Sequence, residues 1–212
     1  MRIVFQGDSI TDAGRSTSAG SLVSIGQGYA LMVAGDLMAK YPQRYECVNR
    51  GVSGNRVVDV YARIKCDCWN LQPDVLSVLI GVNDVWHEEG ANRNGVDAVR
   101  FEKLYRILVE DTKERFPEIR ILILEPFVLR GTATEAGWDR FAHEVYLRAE
   151  VAKRVAEDHG LIFVPLQGML DEACEKAPAS YWLGDGVHPT PAGHRLIADA
   201  WEKAAREGGI IG

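Results

Sequence analysis

Five short apolar runs punctuate the chain, at Ile3–Phe5, Tyr45–Val48, Val75–Ile80, Ile119–Leu124 and Leu161–Val164. They are rich in β-branched residues and read as strands. Longer segments between them repeat apolar residues at helical spacing: Tyr29–Ala39, Val57–Ile64, Phe101–Phe116, Phe141–His159 and Ala192–Ala205. In the third of these, Phe101, Leu104, Tyr105, Leu108 and Val109 form an i, i+3, i+4, i+7, i+8 stripe. Strand and helix alternate, which implies a mostly parallel sheet with helices on both faces. The strands are near-continuous apolar runs, as expected when both faces are covered.

The expectation is therefore an α/β protein, a flavodoxin-like three-layer α/β/α sandwich on a five-stranded parallel sheet, folded as one domain over residues 1–212. Ligands in such sheets bind at the carboxyl ends of the strands. The polar segment Arg130–Trp138 (RGTATEAGW) is expected as a loop near that rim. Strand order is not contained in the pattern and rests on analogy with the fold.

Composition narrows the partners. The net charge is -6 and no Lys/Arg-rich cluster interrupts it. Long-range repulsion then disfavours nucleic acid and anionic membrane surfaces. No stretch approaches the roughly 20 apolar residues needed to span a bilayer. Ile3–Phe5 is too short for a signal-peptide core, so the expected compartment is the cytoplasm. Cys66 and Cys68 form C-x-C while Cys47 and Cys174 stand alone. That is neither a zinc spacing nor a disulfide framework, and four reduced thiols are expected. The tail GGIIG at 208–212 reads either as an interface, leaving a homo-oligomer open, or as a frayed end.

Four polar clusters follow the strands or precede the last helix: Gly7-Asp8-Ser9, Asn49–Asn55, Gly81–Asp84 and Gly184–Pro189. Ser9 has two readings. It is a helix cap or turn residue, with Asp12 three residues on as a loose capping pattern. Or it is a nucleophile held at a strand-to-helix turn, its own N–H turned to a developing oxyanion. A serine nucleophile needs a base, and the base needs an acceptor on its other ring nitrogen. Of the five histidines only His188 has an acid, Asp185, three residues earlier in a Gly/Pro-rich turn. The competing reading is a solvated surface loop. His143, His159 and His194 fall in helical stretches and read as packing or surface residues. Gly54 lets a backbone amide approach a ligand closely, and Asn83 carries a neutral side-chain donor. With the Ser9 amide they supply three oxyanion donors from three strand ends; otherwise they are turn residues.

Taken together and in order, GDSITD at 7–12, SGN around Gly54, GVND at 81–84 and DGVHP at 185–189 resemble the four blocks of the SGNH hydrolases, the GDSL esterase/lipase superfamily. The blocks span nearly the whole chain, and GDSI stands in place of GDSL. The resemblance implies Ser9 as nucleophile, Asp185 and His188 as its partners, and Ser9, Gly54 and Asn83 as the oxyanion hole. It implies no cofactor and no metal. Asp8 and Asp12 lack an evident third ligand and suit turn and helix-start hydrogen bonds better.

The strings GDSITDAGR, NRGVSGN and GVNDVW look most like the carbohydrate acetylesterase branch, including xylan-oligosaccharide deacetylases. The implied substrate is a small acylated molecule such as an acetylated sugar. Asp8, Trp86 and Trp182 are candidates for its pocket, the two tryptophans being equally suited to the core. A lysophospholipase, thioesterase or general short-chain esterase on the same scaffold is the alternative enzyme. A flavodoxin-like binding module, with Ser9 only a cap, is the alternative outside catalysis.

Overall fold

The structure is a computed structural model that describes residues 1–18, 21 and 23–212. The strands are β1 (Arg2–Gly7), β2 (Glu46–Asn49), β3 (Val75–Leu79), β4 (Arg120–Leu124) and β5 (Ile162–Val164). They form one parallel sheet in the order β2-β1-β3-β4-β5. The helices are α1 (Ser9–Asp12), α2 (Tyr29–Lys40), α3 (Val57–Asp67), α4 (Val82–Glu89), α5 (Ala98–Arg115), α6 (Trp138–His159), α7 (Gln167–Cys174), α8 (Ala179–Trp182) and α9 (Pro191–Glu207).

The period of two along each strand divides the apolar residues between two layers. Ile3, Phe5, Leu79, Leu122 and Leu124 pack with Tyr29, Val33 and Leu37 of α2 and Ile197 and Trp201 of α9. Val4, Leu76, Val78, Ile121 and Ile123 face the other way, against Val57, Val60 and Ile64 of α3 and the α5 stripe of Phe101, Tyr105, Leu108 and Val109. Each fully buried side chain of this size contributes about 1.5–3 kcal/mol of transfer free energy. The central strand β3 is buried at every position, and β1 and β4 are buried at all but their first, which is why they read as apolar runs; the edge strands β2 and β5 are only partly covered. The buried polar residues of the central strands have partners: Ser77 Oγ in β3 accepts the Trp201 indole N–H at 3.0 Å, and Gln6 Nε2 in β1 donates to the Asp67 carbonyl at 3.2 Å.

The tail differs from both expectations. Ile210 and Ile211 are buried in the α2/α9 layer, so residues 208–212 close over the chain's own core. Among the cysteines, burial pushes the Cys47 and Cys68 thiols up to about 12, which keeps them protonated and unreactive.

The sheet order sets the place of any site. From β1 the chain steps outward to β2, then returns past β1 to β3 and continues the other way. The carboxyl ends of β1 and β3, where Gly7 is level with Leu79, are the switch point. In open α/β sheets ligands bind at such a point, where the flanking connections diverge to opposite sides.

Candidate active site

Ser9 leaves the sheet at this switch point. The residue that caps α1 is Asp8, not Ser9: its carboxylate accepts the Ile10 N–H at 2.9 Å. Ser9 is thus the first helical residue, with its hydroxyl free for another partner. Among the described residues the Ser9 amide donates no hydrogen bond, as suits a helix N-terminus left open for an anion. Asp12 serves the same turn. One carboxylate oxygen accepts the Arg15 N–H at 3.1 Å, and the other accepts Ser53 N–H and Oγ–H at 3.1 and 3.2 Å.

Ser9 Oγ lies 2.9 Å from His188 Nε2, and His188 Nδ1 lies 2.7 Å from Asp185 Oδ2. The loop that carries both is closed by Gly184 N–H donating to the His188 carbonyl at 2.8 Å and by a bridge between Leu183 and Pro189. Asp185 Oδ1 accepts the Val187 and His188 amides at 2.9 and 2.8 Å. One oxygen therefore fixes the carboxylate in the turn while the other meets the ring. Thr190 and Pro191 then start α9, the Thr190 hydroxyl accepting the Gly193 N–H at 3.3 Å.

The electrostatics agree with this chain. Partial burial pushes the Asp185 carboxyl up, but the His188 and Val187 N–H groups and the imidazole outweigh it and hold it below the usual range. Asp185 is thus an anion at neutral pH. An anion on Nδ1 places the ring proton there and leaves Nε2 as the acceptor facing Ser9.

The remaining blocks are tied to the first. Val52 N–H donates to the Gly7 carbonyl at 3.0 Å, which draws the loop after β2 against the end of β1. Gly54 has φ of +80°, a left-handed conformation that glycine adopts without strain, and its amide has no acceptor among the described residues. Asn83 is 6 % exposed, and its Nδ2 donates to the Asn55 carbonyl at 3.2 Å. The Asp84 carboxylate accepts the Val57 N–H at 3.0 and 3.2 Å, fastening the start of α3 to α4. Burial raises the Asp84 pKa well above the ordinary carboxylate value, against the Val57 N–H and the Arg148 guanidinium. Trp86 on α4 lies 5.9 Å from the His188 ring and edge-on to Phe141 at 6.2 Å.

Two pocket candidates have other work. Asp8 is 1 % exposed and sits beneath Ser9 as the α1 cap, so it does not wall a cavity. Trp182 packs on Tyr181 at 4.9 Å and donates its indole N–H to the Ala177 carbonyl at 3.2 Å. Its own carbonyl accepts the Thr190 N–H at 2.9 Å, so it braces the His188 loop from below. His194 is buried and its Nδ1 accepts the Tyr29 N–H at 3.1 Å. Burial first, and then the nearby His188, pull its pKa down to about 4, so it stays neutral as a packing residue.

The Arg130–Trp138 loop was expected near the rim, but its contact with Asp185 was not read from the sequence. Leu129 and Ala133 amides donate to the Gly186 and Asp185 carbonyls, each at 2.9 Å. The clue lay in Gly131, a glycine whose closest neighbour is 54 positions away and visible only in three dimensions.

A serine, histidine and aspartate in hydrogen-bonded sequence at the switch point of a parallel sheet is the arrangement that serine hydrolases use. Residues 5–196 match the GDSL-like Lipase/Acylhydrolase family, and the chain belongs to it. It is 34% identical over 207 residues to an acetylxylan esterase of Geobacillus stearothermophilus, covering 94% of this chain and 91% of that protein. Among solved structures, a GDSL lipase-like protein of Parabacteroides merdae superposes with a TM-score of 0.89 at 40% identity, over 97% of this chain and 95% of the other. A catalytic mutant of the G. stearothermophilus acetylxylan esterase Axe2 superposes with a TM-score of 0.86 at 33% identity, over 96% and 93%. The chain is a carboxylic ester hydrolase on the SGNH hydrolase fold.

Proposed function

We propose that this esterase removes acetyl groups from small carbohydrate esters such as acetylated xylo-oligosaccharides, through an acyl-enzyme on Ser9. The observation that carries the mechanism is the pair of contacts Ser9 Oγ–His188 Nε2 at 2.9 Å and His188 Nδ1–Asp185 Oδ2 at 2.7 Å. Ser9 Oγ attacks the ester carbonyl as His188 Nε2 takes its proton. Asp185 holds the ring and balances the imidazolium. The Ser9 and Gly54 amides and the Asn83 side chain donate to the oxyanion. The tetrahedral intermediate collapses as His188 returns the proton to the leaving alcohol. Water, deprotonated by His188, then releases acetate and restores Ser9.

The acetyl-sugar substrate is supported by the likeness to an acetylxylan esterase along nearly the full length of both chains. The indole of Trp86 beside His188 adds a flat apolar surface of the kind on which a sugar ring stacks. The test is acetate release from partially acetylated xylo-oligosaccharides, beside p-nitrophenyl decanoate, lysophospholipids and acyl-CoAs. The acetylated oligosaccharides should give the highest kcat/KM. A higher value on decanoate or lysophospholipid would replace the reading with a lipase-type one.

A further inference from the structure

We infer that His87 is a specificity residue that hydrogen-bonds a hydroxyl on the alcohol part of the ester. The inference rests on the roles proposed above for Ser9 and Gly54 and deepens them. His87 follows Trp86 on α4, so one turn of helix presents two rings to the rim. The indole goes to His188. The imidazole goes to Gly54: a side-chain carbon built at Gly54 would lie 3.9 Å from His87 Nε2 and within 4 Å of no other atom outside residues 53–55. The space beside the proposed oxyanion glycine is therefore open, and His87 is what bounds it.

The imidazole is also unused. Among the described residues its side chain makes no hydrogen bond and no ion pair, whereas His188 and His194 are both engaged. It is half-buried, so its polar edge is held in place yet remains within reach of a ligand. A bound acyl group is small and has only its carbonyl oxygen to offer, which the oxyanion donors take. The leaving alcohol is what remains to meet His87. An imidazole both donates and accepts when uncharged and donates twice when protonated. A hydroxyl, itself donor and acceptor, complements it in either state; a hydrocarbon chain does not, and leaving the ring unpaired against one forfeits a hydrogen bond. The chemistry selected is a polyhydroxylated alcohol such as a sugar.

Two variants and two substrates test this. His87→Phe keeps a ring of similar size without hydrogen bonds; His87→Gln keeps donor and acceptor. Partially acetylated xylobiose has free hydroxyls, and p-nitrophenyl acetate has none. His87→Phe should lower kcat/KM on the xylobiose ester roughly 3–10-fold, the worth of one uncharged hydrogen bond, mainly through KM. His87→Gln should recover most of it, and both should hydrolyse p-nitrophenyl acetate within about twofold of wild type. Inhibition of p-nitrophenyl acetate hydrolysis by unacetylated xylobiose should weaken in parallel in His87→Phe. Equal losses on both substrates, or none on either, overturn the inference. If wild type cleaves both esters and His87→Phe treats them alike, the inference fails alone. If wild type leaves the xylobiose ester untouched while cleaving p-nitrophenyl acetate, the acetyl-sugar reading fails with it.

Discussion

Gly131 lies against the backbone of Asp185 so closely that a Cβ at position 131 would sit 2.4 Å from both the carbonyl carbon and the carbonyl oxygen. The contact joins the loop after β4 to the loop that carries Asp185 and His188. Backbone is the obstacle, so no side-chain rotation relieves a larger residue. Gly131→Ala should displace the Asp185–His188 turn and lower kcat roughly 10–100-fold, since misplacing catalytic groups by about 1 Å costs that order. Steady-state kinetics on p-nitrophenyl acetate, with circular dichroism to confirm the fold, checks it. Wild-type kcat in a folded variant would show that the turn tolerates the shift.

The hydrogen-bonded chain from Asp185 to Ser9 predicts unequal losses. Ser9→Ala and His188→Ala should each lower kcat by about 10⁶, and Asp185→Asn by only about 10⁴, because the proton acceptor survives in the wrong tautomer. Labelling by a serine-directed phosphonate should vanish in Ser9→Ala and fall sharply in His188→Ala, which leaves the hydroxyl without its base. Labelling that persists in Ser9→Ala, or near-native turnover in His188→Ala, would sink the assignments.

Asn83 is held at its post by donating to the Asn55 carbonyl at 3.2 Å, with its second N–H left over. As an oxyanion donor it acts in the transition state and hardly in the ground state. Asn83→Ala should lower kcat by about 10²–10³ with little change in KM. A change confined to KM would assign Asn83 to substrate binding instead.

The central strands were legible because they are buried on both faces and so read as near-continuous apolar runs; the edge strand β2, only partly buried, is displaced to Glu46–Asn49 from an expected Tyr45–Val48. Tyr45 belongs to the core without pairing in the sheet. Helices with a long amphipathic stripe, such as α5, were legible for the same reason of burial on one side. The short helices were not. Neither Ser9–Asp12 nor Val82–Glu89 is among the expected helices, because a helix of one or two turns has too few positions to show a period and depends on tertiary contacts. Both begin at the rim, so the local frame of Ser9 and Asn83 was the part least visible. The order β2-β1-β3-β4-β5 likewise depends on pairings distant in sequence. The chemistry was legible through the combination of four short motifs. The bracing was not: neither Gly131 against Asp185 nor Trp182 beneath the His188 loop has a local signature.

Asp8 carries the last prediction. Its carboxyl lies beneath Ser9 at 1 % exposure, and burial pushes its pKa up to about 7, against the opposing effects of the Ile10 N–H and of His188. In the unfolded chain an Asp titrates near its ordinary value of about 3.9. Between those two values the native state binds more protons than the unfolded state, so stability falls as pH rises through the window and levels off above about 7. An asparagine cannot ionise, yet its side-chain oxygen still accepts the Ile10 N–H as a cap. Asp8→Asn should therefore gain on wild type steadily from about pH 4 to pH 7, by at most about 1.4 kcal/mol per pH unit, and hold that gain at pH 8. Asp84 contributes a slope of the same sign in both proteins, shallower in Asp8→Asn because the Asp8 charge is one of the effects that raise it, which adds to the variant's relative gain. Urea midpoints at pH 5, 6, 7 and 8 measure the difference directly. A difference that stays flat across that range, or that favours wild type more as pH rises, would mean that Asp8 is ionised in the folded protein throughout and finds a partner there beyond Ile10.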